Sequence, residues 1–189
     1  TVRTPLLRPA FFPIVSSGVL AKTLCRRANG SIEGLIVEGA RAGGHNAPPR
    51  GGGELDASGQ PVYGPRDEVK IEQIRALGLP FWLAGTYGAP ERLQEALAMG
   101  ATGVQMGTAF ALCEESGLAP EIRETLVREA VEGRASVFTD PKASPTGFPF
   151  KVAQLDKSLS DRAVYEDRRR MCDLGLLREM YYCEDGSIG

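Results

Sequence analysis

Four short apolar runs, each followed by a glycine-containing turn and then by a helix-like pattern, constrain this chain more than any other feature. Phe11-Phe12-Pro13-Ile14-Val15 is followed by Ser16-Ser17-Gly18. Residues 34–39 (Gly-Leu-Ile-Val-Glu-Gly), 80–85 (Pro-Phe-Trp-Leu-Ala-Gly) and 102–107 (Thr-Gly-Val-Gln-Met-Gly) are the other three. Runs of this length suit buried strands of a parallel sheet, in which both faces are covered. Between them the spacing becomes helical. A helix over residues 19–27 places Leu20 and Leu24 on one face, and a second, capped by Asp67, uses Val69, Ile71, Ile74 and Leu77 before stopping at Gly78. A third opens at Pro90 and ends at Gly100, with Leu93, Ala96 and Leu97 inward. A fourth spans residues 120–132, with Ile122, Leu126, Val127 and Val131 inward and Gly133 as its stop.

Strand and helix in alternation predict an α/β fold with a parallel sheet and right-handed crossovers. Three strands end in Gly39-Ala40, Gly85-Thr86 and Gly107-Thr108, and ligands in such folds bind at the C-terminal strand ends. The expectation is four βα units, the C-terminal half of a (β/α)8 TIM barrel, over residues 1–139. Asp140-Pro141, Ser144-Pro145 and Phe148-Pro149 then interrupt any period, so residues 140–189 read as an irregular C-terminal appendage. Half a barrel leaves strand edges at residues 11–15 and 104–106, which invite a missing N-terminal half or a homodimer.

Composition narrows the partners. The net charge is −2, and the basic run Arg168-Arg169-Arg170 follows Glu166-Asp167, so it reads as a solvated helix face rather than a nucleic-acid surface. No stretch approaches the ~18 apolar residues of a membrane span. Cys25, Cys113, Cys172 and Cys183 form no CxxC pair, and there is one histidine. That pattern argues against a disulfide framework and a metal site, and points to a reducing cytoplasm.

The chemistry concentrates at the strand ends. Gly39-Ala40-Arg41-Ala42-Gly43-Gly44-His45 sets two glycines, which let backbone approach a ring or phosphate, before the chain's single histidine. Imidazoles serve as bases near neutral pH. Ala84-Gly85-Thr86-Tyr87-Gly88 and Gln105-Met106-Gly107-Thr108 add N–H groups and hydroxyls one βα unit apart, a pattern suited to a phosphorylated cofactor. The long connection at residues 46–66 reads equally as a lid over the substrate and as a disordered or appendage-contacting loop. Trp82 reads as core and Cys113 as a buried small hydrophobe.

The strings VEGARAGGH and PFWLAGTYGAPERLQEALAMGATGVQMGTAF resemble the last four βα units of the nitronate monooxygenase (2-nitropropane dioxygenase) family, and SPTGFP resembles a later segment of some members. The resemblance covers residues 11–116. It implies FMN, with its phosphate near Gly85, Thr86, Gly107 and Thr108, and Gly43 and Gly44 beside the ring. Gln105 and Met106 would line the same mouth, and His45 would be the active-site histidine. Apart from the resemblance, Tyr87 is a substrate candidate, or else a core residue, because it follows Gly85-Thr86 at the strand end. The implied activity is oxidation of nitronates or nitroalkanes with O2 and without NAD(P)H. Arg41 stands where many members have glutamate, Thr86 replaces a common second glycine, and Asn46-Ala47-Pro48-Pro49 replaces a glycine-containing continuation. An FMN-dependent NAD(P)H enoyl-thioester reductase shares the same motif style and is the alternative activity. A barrel of the IMP dehydrogenase kind needs a loop cysteine that none of these supplies. An inactive fragment is the reading from another class.

Overall fold

A computed structural model describes residues 8–169 and residue 185. Strands β1 (Ile14–Val15), β2 (Leu35–Glu38), β3 (Phe81–Ala84) and β4 (Gly103–Gln105) form one parallel sheet in the order β1-β2-β3-β4. The order advances in one direction, so these four strands contain no reversal point of the kind that marks a doubly wound sheet. Helices α1 (Gly18–Arg27), α2 (Ile71–Arg75), α3 (Pro90–Ala98), α4 (Thr108–Ala111) and α5 (Pro120–Val131) lie along the chain after the strands.

Register explains which face is covered. Side chains alternate along a strand, and pairing aligns Val15 with Val37 and Leu83, and Leu35 with Phe81. These five are buried with Ala21 of α1, Ile74 of α2 and Ala96 of α3 in one core cluster. The opposite row is Ile14, Ile36, Trp82 and Gly103. There Ile14 is 55% exposed, and Trp82 is half-buried, edge-on to Phe12 at 5.3 Å. One face of the sheet is therefore packed and the other is open. Truncating the fully buried Ile74 to alanine removes about 2–5 kcal/mol of stability, read as the shift in a denaturant midpoint.

The local reasons for the helices are mostly as expected. Ser17 caps α1 by accepting the Leu20 N–H at 3.1 Å, and Arg26 and Arg27 complement its C-terminal dipole. Pro90 and Pro120 occupy first turns, and Gly100 (φ +88°) and Gly133 (φ +69°) stand just past the helix ends. Several details differ. On α1 and α3 the closest contacts are made by Ala21 and Ala96, while Leu20, Leu93 and Leu97 are exposed, because small residues let a helix lie close to the sheet. Helix α2 is short and begins after Lys70, not at Asp67. The Asp67 carboxylate instead accepts the N–H groups of Arg50 and Gly64, each at 2.8 Å. Helix α5 buries none of its residues; Ile122, Val127 and Val131 are exposed and Leu126 is half-buried.

Residues beyond 139 are more regular than the prolines suggest. Strands β5 (Val137–Asp140) and β6 (Phe150–Ala153) form an antiparallel pair. A bridge between His45 and Phe150 ties that pair to the loop after β2. By its own contacts the chain divides into two compact units between Gln154 and Leu155. In the second unit, α6 (Arg162–Asp167) is capped by Asp161, which accepts the Ala163 N–H at 2.9 Å. Arg168, expected on a helix face, follows the last turn and stacks on the Tyr165 ring at 3.6 Å. Arg170, Cys172 and Cys183 lie outside the described residues. Among the described residues, no helix is long and apolar enough to cross a membrane, and no group of three His, Cys, Asp or Glu side chains is arranged to hold a metal.

Candidate functional site

Parallel pairing in consecutive order puts the C-terminal ends of β2, β3 and β4 along one edge of the sheet. The loop after β2 turns at once, with Ala42 N–H donating to Gly39 O at 3.1 Å, and then reaches Gly44 at φ +76°. His45 follows, held from the β5–β6 side. Asn46 N–H donates to Pro149 O at 2.8 Å and Lys151 N–H to Gly44 O at 2.9 Å. The imidazole meets the Phe150 ring edge-to-face at 4.7 Å, and its Nε2 lies 2.6 Å from Ser144 Oγ. His45 is otherwise exposed.

That exposed side opens on a cavity of about 300 Å³, lined among others by Glu38, His45, Asn46, Arg50, Tyr63 and Phe148. Residues 46–66 form one wall through an ordered set of bonds. Arg50 donates to Ser16 O (2.6 Å) and Arg66 O (2.8 Å), and Tyr63 donates to Ala47 O (3.0 Å). Burial, with Asp67 nearby, pushes the Tyr63 phenol up. Burial also raises the Glu38 carboxyl above its usual range. Asn46 is buried, its Nδ2 donates to Ala42 O at 3.1 Å, and its Oδ1 has no partner among the described residues. A buried acceptor without a donor is uncommon.

The expected flavin residues sit on the neighbouring stretch of the same edge, outside the cavity wall. Gly85 has φ +92°, and a Cβ there would stand 2.8 Å from Ala42 N, so the loops after β2 and β3 touch. Thr86 adopts φ +63°, costly for a β-branched residue, which explains why glycine suits this position. Met106 Sδ lies near Gly88, joining the loops after β3 and β4. Thr86, Gln105, Met106, Gly107 and Thr108 are all exposed. Tyr87 is the exception, because it is half-buried and packs against the core cluster rather than lining the cavity. Cys113 is half-buried and donates to Phe110 O at 2.9 Å.

Whether a flat phosphorylated ring fits can be judged from the glycines. Gly39, Gly43, Gly44 and Gly107 would each point a Cβ into open space, so packing does not require glycine there. Among the described residues, the N–H groups of Gly43, Gly44, Thr86 and Gly107 donate no hydrogen bond. Room and free donors on one exposed edge suit a cofactor with a phosphate.

Sequence reasoning missed Glu38, Asn46 and Ser144. Glu38 carried a signal, a lone carboxylate at the end of an apolar strand. Ser144 is 99 residues from His45; the SPTGFP string that begins with it was noted as a resemblance, but nothing local tied it to the histidine.

Comparison with known proteins agrees with this arrangement. The chain is 33% identical over 120 residues to a nitronate monooxygenase of Pseudomonas aeruginosa, covering 64% of this chain and 32% of that protein. It is 30% identical over 105 residues to a probable nitronate monooxygenase of Bacillus subtilis, covering 56% of this chain and 28% of that protein. It thus spans about a third of the length of these curated relatives. Its fold is similar to that of the M276A mutant of FabK from Thermotoga maritima, with a TM-score of 0.53 at 23% identity, covering 84% of this chain and 43% of that one. The nitronate monooxygenase family profile matches residues 8–143, and with that match over the sheet, the glycine edge and His45, the chain belongs to the nitronate monooxygenase family.

Proposed function

We propose that this chain is part of an FMN-dependent oxidoreductase that oxidises nitronates and nitroalkanes with O2. The observation that carries the reading is the placement of His45. It is exposed to a cavity and fixed on its other side by Ser144 and Phe150, next to a glycine edge with open space and free N–H donors. Gly85, Thr86, Gly107 and Thr108 are the residues that would hold the FMN phosphate. Gly43, Gly44, Gln105 and Met106 would face its ring system. When bound, the flavin supplies the electron acceptance and O2 reactivity that side chains lack.

The protein's own part is position and proton transfer. His45 takes the α-proton of a neutral nitroalkane, or orients a nitronate that arrives already ionised. The wall formed by residues 46–66 limits water around the substrate, the role expected of a lid. Glu38 stands in the cavity wall, where burial raises its carboxyl above the usual range.

The open sheet face and the bare edges at β1 and β4 fit the C-terminal half of a (β/α)8 barrel, completed by four further βα units. A second copy of the chain is the other occupant these edges allow. The flavin-binding part is then the sheet with its helices, and residues beyond it form an extension.

The test is a visible spectrum of the full-length protein, followed by ethylnitronate in air without nicotinamide. A flavin spectrum with oxygen uptake is the expected result. Flavin that is reduced only by NAD(P)H would replace this reading with an enoyl-thioester reductase. A colourless protein that takes up no added FMN would remove the cofactor from the account.

A further inference from the structure

One hydroxyl, itself held by a second, meets the histidine ring, and no motif in the first half of the chain announces either. Ser144 Oγ lies 2.6 Å from His45 Nε2 and 2.7 Å from Thr146 Oγ1, and it accepts the Thr146 N–H at 3.3 Å. Ser144 is 8% exposed, whereas His45 opens on the cavity. The Phe150 ring closes a further side. Among the described residues, none hydrogen-bonds to His45 Nδ1.

A hydroxyl offers one hydrogen and two lone pairs. Ser144 can therefore satisfy its neighbours in either of two polarities. In one it donates to Nε2 and accepts from both groups of Thr146. In the other it accepts the Nε2–H and the Thr146 N–H, and donates to Thr146 Oγ1. Nε2 is occupied in both, so the nitrogen left open to a substrate is Nδ1. A neutral imidazole has a lone pair on Nδ1 only when Nε2 carries the hydrogen. The second polarity also persists when the ring becomes doubly protonated, because Nε2 is then still a donor.

We propose that Ser144 is a positioning residue for His45. Its Oγ accepts the Nε2–H and turns its own hydrogen to Thr146 Oγ1, so that Nδ1 is the nitrogen that receives the substrate proton. No bond to carbon or oxygen changes in Ser144; only the α-proton moves, from substrate carbon to Nδ1. This deepens the function proposed above and rests on His45 being the base.

The experiment uses the full-length, FMN-loaded protein with Ser144→Ala and Ser144→Thr. Oxygen uptake is measured with nitroethane, which must lose a proton, and with ethylnitronate, which has already lost it. The His45 tautomer is read from nitrogen-15 chemical shifts in histidine-labelled protein, with the resonance assigned by its loss in His45→Asn. Native protein is expected to show the Nε2–H tautomer. Ser144→Ala is expected to give a tautomer mixture and a kcat for nitroethane lower by about tenfold or more. The loss with ethylnitronate should be much smaller, KM and the flavin spectrum should hold, and Ser144→Thr should restore most of the nitroethane rate.

An unchanged tautomer in Ser144→Ala would overturn the proposal. Equal losses with both substrates, accompanied by flavin release, would also overturn it and make Ser144 merely structural. Full nitroethane turnover in His45→Ala is a different failure, since it removes the base reading. The tautomer in Ser144→Ala would still decide whether Ser144 sets the ring.

Discussion

Under the proposed function, alanine in place of His45 is expected to lower nitroalkane turnover of the FMN-loaded protein by about 10²- to 10⁴-fold, the usual worth of a positioned general base. The flavin spectrum is expected to persist, because the imidazole meets Ser144 and Phe150 rather than the glycine edge. Ethylnitronate should be far less affected than nitroethane, since its proton is already gone. Comparing the two substrates therefore separates proton abstraction from binding. Unchanged turnover of nitroethane would refute the base assignment. A parallel collapse of both activities together with flavin loss would place His45 in the scaffold instead.

The second large effect concerns Gly85. An alanine Cβ there meets Ala42 N at 2.8 Å and Ala42 Cα at 3.0 Å, on a backbone at φ +92°. Left-handed strain and overpacking together cost about 2–4 kcal/mol. The expected result is a melting midpoint lower by several degrees, with poor flavin retention. Gly107 is the informative contrast. Its φ is −114°, and a Cβ there meets nothing within 4 Å. Gly107→Ala should leave stability within about 0.5 kcal/mol, as for a surface substitution, and yet weaken FMN binding. Equal flavin content in native protein and Gly107→Ala would show that the open space before Gly107 is not part of the cradle.

The strands were legible because each lies inside a contiguous run of five or six residues. Leu35–Glu38 and Phe81–Ala84 sit within the runs read from the sequence. Helix faces were less legible, since leucine spacing marks a stripe but does not say which residue touches the sheet. Ala21 and Ala96 do so because they are small. Helix α5 shows the same limit in sharper form, for Val131 has the right spacing and is 83% exposed. Asp67 was a sound helix cap by type, yet the N–H groups of Arg50 and Gly64 compete for its carboxylate and hold it. The β5–β6 pair was hidden by the prolines between its strands, where a turn of this length gives no hairpin signature.

The site divided along the same line. Gly43-Gly44-His45 is contiguous and could be read directly, as could the glycines after β3 and β4. Tyr87 follows the same strand end, but its ring turns to the core. The SPTGFP string marked the segment that holds Ser144, but its meeting with His45 comes only through folding.

The span between His45 and Ser144 also sets an order of events in time. With 99 residues between them, and synthesis at about 5–20 residues per second, the imidazole leaves the ribosome roughly 5–20 s before the hydroxyl that seats it. Strands β3 and β4 and their glycine turns emerge within that interval. The edge suited to the cofactor is thus complete in sequence before Ser144 emerges to meet His45.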